Sequence, residues 1–225
     1  MNLIRKGHRS HRGVIGVESA IVMIAFVIVA AALAFVVLNM GFSTTQRAKT
    51  AIVSSLEESS SALEIAGKVT GSGHVTGGKL NVTAVPVKLA SGGSSVNLNS
   101  GTLAIKYYSN TVQYDNIYAG ILTNGIYTNL TSAMTAAKAA GWISQNPVTE
   151  NNPNATKAII YFGVNRNDNA ILDQGEHATI AIAYADNERP QALDTIKAEV
   201  IVPTGSPLTI ERLIPNITTS VVDLG

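Results

Sequence analysis

The sequence predicts an α+β protein in which one long hydrophobic α-helix precedes a β-sandwich head. Three observations predict it. Nineteen residues from Ala20 to Leu38 contain no charged or strongly polar side chain. After them, apolar positions alternate with polar ones in a two-faced pattern as far as Ala66. Beyond residue 78 the pattern changes to short runs rich in Val, Ile, Thr and Tyr, as in half-buried strands. The 225 residues suffice for one ordinary domain plus a further element. With 46% hydrophobic and only 14% charged residues, global disorder is excluded.

Residues 1–13 form a short basic leader containing Arg5, Lys6, Arg9 and Arg12. Without it, twelve Lys and Arg face fifteen Asp and Glu, a net charge of −3, and no basic stripe for nucleic acid remains. The apolar run that follows reaches the roughly 20 residues needed to span a bilayer core. It is apolar all round, so it must lie in lipid or be buried on every side. Positive charge ahead of it places the N-terminus in the cytoplasm and the rest outside. Three readings fit the segment: a permanent anchor, a signal cut after the run at Ala32-Leu33-Ala34, or a signal cut before it, between Gly13 and Val14. In the third, Glu18 becomes the fifth residue of the mature chain. A carboxylate there is either an interfacial acid favoured by the helix dipole or one half of a specific pair.

After Leu38, Phe42, Ile52, Val53, Leu56, Leu63 and Ile65 are apolar, while Gln46, Arg47, Lys49, Glu57, Glu58 and Glu64 are polar. Gly41 weakens a helix here by about 1 kcal/mol. The expected helix covers residues 14–66, on the order of 75 Å at 1.5 Å per residue. So long an element suits a rod packed among copies of itself, or more simply a membrane stalk. Residues 67–78 hold five glycines and read as a hinge.

The head, residues 79–225, contains strand-like runs. Lys79–Leu89 is the first, with Pro86 marking an edge strand or a bulge. Thr102–Tyr108, Thr111–Tyr118 and Ile121–Tyr127 follow, then Lys157–Val164, a continuous apolar run. His177–Ala185 and Thr195–Val202 alternate, and Pro207–Ile214 and Ile217–Val222 close the set. Ala-rich Thr131–Ala140 reads as a short helix. Short strands at near-regular spacing predict an antiparallel sandwich of immunoglobulin-like class, or a barrel.

Little in the sequence carries chemistry. Cysteine is absent, which excludes disulfides, thiol catalysis and Cys-based metal centres. No P-loop, HExxH, G-x-S-x-G or dinucleotide fingerprint is present, and neither an enzyme nor a cofactor is expected. Four sequons, at Asn81, Asn129, Asn154 and Asn216, all lie beyond the apolar segment and are N-glycosylation candidates for an oligosaccharyltransferase. The loop Asn165–Glu176 places oxygen-bearing side chains at positions 1, 3, 5, 9 and 12, including Asn165, Asn167, Asp173 and Glu176, which resembles calcium-loop spacing. Ala170 stands where such loops need a glycine, and the flanks read as strands, so these are weak metal candidates beside a plain polar turn.

The leader, the Gly13/Val14 junction, the apolar helix and the β-rich exterior together resemble a type IV pilin-like precursor. The stretch VIGVESAIVMIAFVIVAAALAFVVLNMGFSTTQ from Val14 to Gln46 is similar to the N-terminal helix of archaeal flagellins (archaellins). Leu172–Glu176 and Thr204–Arg212 resemble head motifs of the same family. The resemblance implies cleavage between Gly13 and Val14 by a prepilin-peptidase-like enzyme after transient membrane insertion. It implies pairing of Glu18 with the new Val14 amine of a neighbour, and a homopolymer whose helices form the core. It also implies an assembly ATPase, a membrane platform protein and an extracellular filament that drives swimming. Helices leaving lipid for a protein core gain little hydrophobic free energy, so outside work is physically sensible. An adhesive pilin, and an anchored ectodomain that never polymerises, remain the alternatives.

Overall fold

The structure is a computed structural model, and it describes residues 12–59 and 63–225, with side chains described for residues 16–56 and 63–225. The leader residues 1–11 lie outside the described residues. The chain divides into two compact units, Met1–Ser55 and Leu56–Gly225.

The first unit is built on α1, Arg12–Ser59, 48 residues or about 72 Å of unbroken helix. It runs straight through Gly41, whose missing side chain meets nothing within 4 Å. Every side chain from residue 16 to residue 56 is exposed, with Phe26 at 71% and Phe42 at 74%. Within Gly16–Leu56 an eighteen-residue window reaches a mean hydropathy of 3.3, long and apolar enough to cross a membrane. Thr44, Thr45 and Thr50 each donate their hydroxyl to the carbonyl four residues back, at 2.8, 2.8 and 2.9 Å. Their polar atoms are thereby satisfied inside the helix, so these threonines do not need water.

The expected helix end at Ala66 is corrected. Leu63–Ile65 is a strand, β1, pairing antiparallel with the end of β3, Lys79–Leu89. Leu63 is buried in the core of the second unit and Glu64 bonds Lys88 across the pair at 2.9 Å, so tertiary contacts override the helical spacing. The expected 67–78 hinge is corrected too. Thr70–His74 is β2, lying between β3 and the last strand, β13, Val221–Asp223. Its glycines serve close packing. A Cβ on Gly73 would lie 2.6 Å from Ile217 and 2.9 Å from Val222, and one on Gly71 would lie 2.7 Å from Leu80.

The second unit is a two-sheet sandwich. The larger sheet has the order β13-β2-β3-β10-β8-β7, with β1 beside β3; β7 is Tyr118–Leu122, β8 Lys157–Val164 and β10 His177–Ala183. The smaller has the order β12-β11-β5-β6, with β5 Ala104–Tyr108, β6 Gln113–Tyr114, β11 Thr195–Ile201 and β12 Leu208–Leu213. A further pair joins β4, Val96–Asn97, to β9, Ile171–Leu172. Ile160 and Phe162 of β8, Ile180 and Ile182 of β10, and Ile105, Ile196 and Val200 of the smaller sheet fill the space between the sheets.

The all-antiparallel expectation fails at one pair. β7 and β8 are parallel, which a chain can manage only through a long crossover. The crossover carries α2, Leu130–Ala139, which covers the outer face of the larger sheet with Ala133, Met134 and Ala137 over Ile159, Tyr161, Ala181 and Ala183. This explains the continuous apolar run of β8, a strand buried on both faces. Pro86 sits in a central strand after all. Its carbonyl accepts from the Ala66 N–H, so its missing donor faces the break between β1 and β2.

Candidate functional site

Two surfaces hold the residues singled out above: the flank of α1, and the loops and bulges of the head. Gly13 and Val14 lie at the start of α1, and Glu18 is exposed in its second turn. Around and beyond Glu18 lies an exposed, largely apolar cylinder. In water this far exceeds the few hundred Å² of apolar patch a monomer ordinarily carries. The arrangement can insert into lipid or pack against other apolar helices, and Glu18 is the acidic group at its N-terminal edge.

The loop after β8 draws its four weak metal candidates together, but as a hydrogen-bonded turn. Asn165 Oδ1 accepts from the backbone N–H of Asn167 at 3.2 Å and of Asp168 at 2.9 Å, which holds Asp168 at φ +53°. Asp173 accepts from Ser95 Oγ at 2.5 Å and from Asn167 Nδ2 at 2.6 Å. Glu176 is fully buried, and its two oxygens accept from the N–H groups of Arg166 at 2.7 Å and Asp173 at 3.0 Å. A buried carboxylate needs such donors. The oxygens of Asn165 and Glu176 are thus turned onto the loop's own backbone and those of Asp173 onto the Ser95 and Asn167 side chains, and among the described residues no three His, Cys, Asp or Glu side chains are grouped to hold a metal.

The four sequons fall into contrasting environments. Asn81 is the extra residue of a β-bulge opposite Ser72 and Gly73. The bulge switches the strand's faces, sending Leu80 into the sandwich and Val82 under α2. Asn81 Nδ2 donates to the Pro147 carbonyl at 3.0 Å, and its Oδ1 accepts from Arg189 at 3.2 Å. Its partner Thr83 is 1% exposed, with its hydroxyl 2.7 Å from that of Tyr184. Asn154 is exposed, but Thr156 is 4% exposed; its hydroxyl donates to Glu188 at 2.6 Å and accepts from the Ala185 N–H at 3.0 Å. Asn129 is exposed and caps α2, its Oδ1 accepting from the Ser132 N–H at 2.8 Å. Asn216 and Thr218 are both exposed, in irregular chain between β12 and β13.

Beside α2 a groove of about 670 Å³ opens on the outer face of the larger sheet, with Asn81, Asn129, Tyr161 and Thr179 in its lining. Polar ties elsewhere in the head were not legible in the sequence. Glu188 accepts from both Tyr114 at 2.5 Å and Thr156, and Asn146 Nδ2 reaches the Thr135 hydroxyl at 3.0 Å. No spacing signal marks them, because the partners lie 11, 32 and 74 residues apart, in no case within one helix or strand.

The sequence model of the archaeal-type flagellin family matches residues 13–212, most of the chain. The chain belongs to the archaeal-type flagellin family. A probable flagellin 1 of Aeropyrum pernix is 34% identical over 215 residues, covering 92% of this chain and 94% of that one. Flagellin FlaB2 of Saccharolobus shibatae is 34% identical over 56% of this chain and 47% of its own. Solved structures agree in fold. The crystal structure of archaeal flagellin FlaB1 from Methanocaldococcus jannaschii gives a TM-score of 0.58 at 16% identity, covering 73% of this chain and 97% of that one. The archaeal flagellum of Methanospirillum hungatei gives 0.57 at 20%, covering 92% and 98%. This flagellin is therefore a structural subunit of the archaellum filament.

Proposed function

We propose that the chain enters the membrane through α1 as a precursor, is cut between Gly13 and Val14, and polymerises with the helices of many copies in the filament core. A prepilin-peptidase-like enzyme makes the cut, and an assembly ATPase with a membrane platform supplies the work. The observation that supports this reading is the helix itself. From residue 16 to residue 56 no side chain is covered by the chain's own fold, and most are apolar. A surface of that kind persists only where lipid or other subunits cover it. Threonines that bond their own backbone extend the apolar-compatible length past Leu38, beyond what a roughly 30 Å hydrocarbon core requires.

In this scheme Glu18, the lone acid in the helix between Gly13 and Leu56, neutralises the α-amine of Val14 on a neighbouring subunit. An unpaired charge in an apolar core is strongly disfavoured, so the pair would also set the axial register. The heads face solvent, where an oligosaccharyltransferase has added glycans. N-terminal sequencing and intact mass of sheared filaments test the processing step. A start at Val14 is expected, and a retained Met1 or a start near Phe35 overturns it. Glu18→Ala is expected to abolish or slow filament growth while leaving cleavage intact; filaments at normal yield would remove the pairing role.

A further inference from the structure

We propose that Asn129 and Asn216 are the glycosylated sequons, and that Asn81 and Asn154 stay unmodified because the folded head has already engaged the groups the transfer requires. The inference rests on the reading that the chain reaches the outside as an N-glycosylated filament subunit. By sequence the four sites are equal, each an Asn with Thr two residues on.

The transfer is a substitution at the anomeric carbon of a lipid-phosphate-linked oligosaccharide. The bond from Asn Nδ2 to sugar C1 forms and the bond from C1 to the phosphate oxygen breaks. The phosphate leaves with the electron pair, and the amide loses one proton to solvent. The acceptor amide must be reachable, and the sequon must present its hydroxyl to the enzyme rather than to its own core.

Asn81 fails on both counts. Its amide and carbonyl are held by Pro147 and Arg189, and Thr83 is bound to Tyr184 inside the sandwich. Its backbone lies in β3, with β2 on one side and β10 on the other, so it cannot swing out as a loop. Asn154 presents its amide, but the Thr156 hydroxyl has a partner as donor and another as acceptor. Asn216 meets every requirement, since it and Thr218 are exposed in irregular chain. Asn129 keeps its Nδ2 without a hydrogen-bond partner among the described residues, because capping uses only the oxygen. Its sequon includes the first turn of α2, so it ranks second. The selection also requires that the head folds before transfer, since an unfolded chain would offer all four sites alike.

Glycopeptide mass mapping of whole filaments tests this. The expected result is glycan mass on the peptides containing Asn216 and Asn129 and none on those containing Asn81 and Asn154. Glycan at Asn81 or Asn154 overturns it, and so does an unmodified Asn216 or Asn129. Filaments that form and start at Val14 yet carry no glycan overturn it while sparing the processing and assembly reading. Two variants separate structure from modification. Asn216→Gln should lose one glycan mass with no change in thermal transition. Asn81→Gln should leave the glycan masses unchanged but lower the transition by about 2–4 °C, the scale of about 1 kcal/mol lost with its part-buried hydrogen bonds in a head of this size. A glycan lost from the Asn81→Gln filament would overturn the assignment directly.

Discussion

The helix α1 and the head solve opposite problems with the same chain. In the head, Phe162, Ile180, Tyr184 and their neighbours are covered by the chain's own second sheet, and the sandwich is complete within one molecule. In α1, the backbone is satisfied within the helix away from its ends, but the side chains from residue 16 to residue 56 are left uncovered. The difference teaches where each region draws its stability. The head's comes from intramolecular burial, and the helix's from whatever surrounds it. A substitution in α1 should therefore act on assembly with the head intact, and one in the head should act on folding first.

The largest effect should come from breaking the helix side of this contrast. Val27→Glu places a charge in the middle of the apolar cylinder, at about 2.5–3.5 kcal/mol per copy for membrane insertion alone. Filaments should disappear from sheared fractions, while the head of the retained full chain keeps its urea midpoint. A shifted midpoint would mean that the two regions are coupled.

On the head side, Phe162→Ala opens a cavity between the sheets and should destabilise the head by about 3–5 kcal/mol. Urea denaturation of the detergent-solubilised chain should show the head transition moved, with the helical signal of α1 retained. Loss of both together would erase the distinction.

A smaller effect, again confined to the head, is set by pH. Burial pushes the Tyr107 phenol up to about 12, and burial raises Tyr118 and Tyr184 as well, with the neighbouring Tyr107 adding to the latter. The unfolded chain releases these protons near pH 10. Between there and 12 the folded head therefore holds more protons than the unfolded one, and its stability falls as pH rises. The contribution of these tyrosines should be level below about pH 10 and decline steadily above it, with tyrosinate absorbance from these rings appearing only as the head unfolds. Early ionisation without unfolding would show the rings to be accessible.

The smallest effect sharpens the helix side. Thr45→Val removes a hydroxyl that, among the described residues, bonds only the Gly41 carbonyl, so filament yield should change by no more than about 0.5 kcal/mol allows. A large loss would show that Thr45 bonds a neighbouring subunit instead.

Particular residues show how much was legible. β8 and α2 were readable nearly to the residue, because an unbroken apolar run and an Ala-rich segment are local patterns. Leu63–Ile65 was not, since its helical spacing is real and only pairing with Val87–Leu89 makes it a strand. Gly71 and Gly73 looked like hinge residues because sequence shows a missing side chain but not the Leu80, Ile217 and Val222 atoms that occupy its place. The loop around Glu176 was visible as a run of oxygens, but not the direction in which they turn.

By itself the sequence determined the division into an apolar helix and a β-rich head, the basic character of residues 1–13, and the positions of the sequons. These are matters of hydropathy, period and local residue order, which lie along the chain. Only the tertiary structure decided that the helix gives way to a strand by Leu63, that β7 and β8 run parallel under α2, and that Asn81 and Thr83 are bound into a bulged central strand while Asn216 stands clear. Those outcomes depend on contacts between residues far apart in sequence, and contact energies of that kind override local preference wherever burial is at stake.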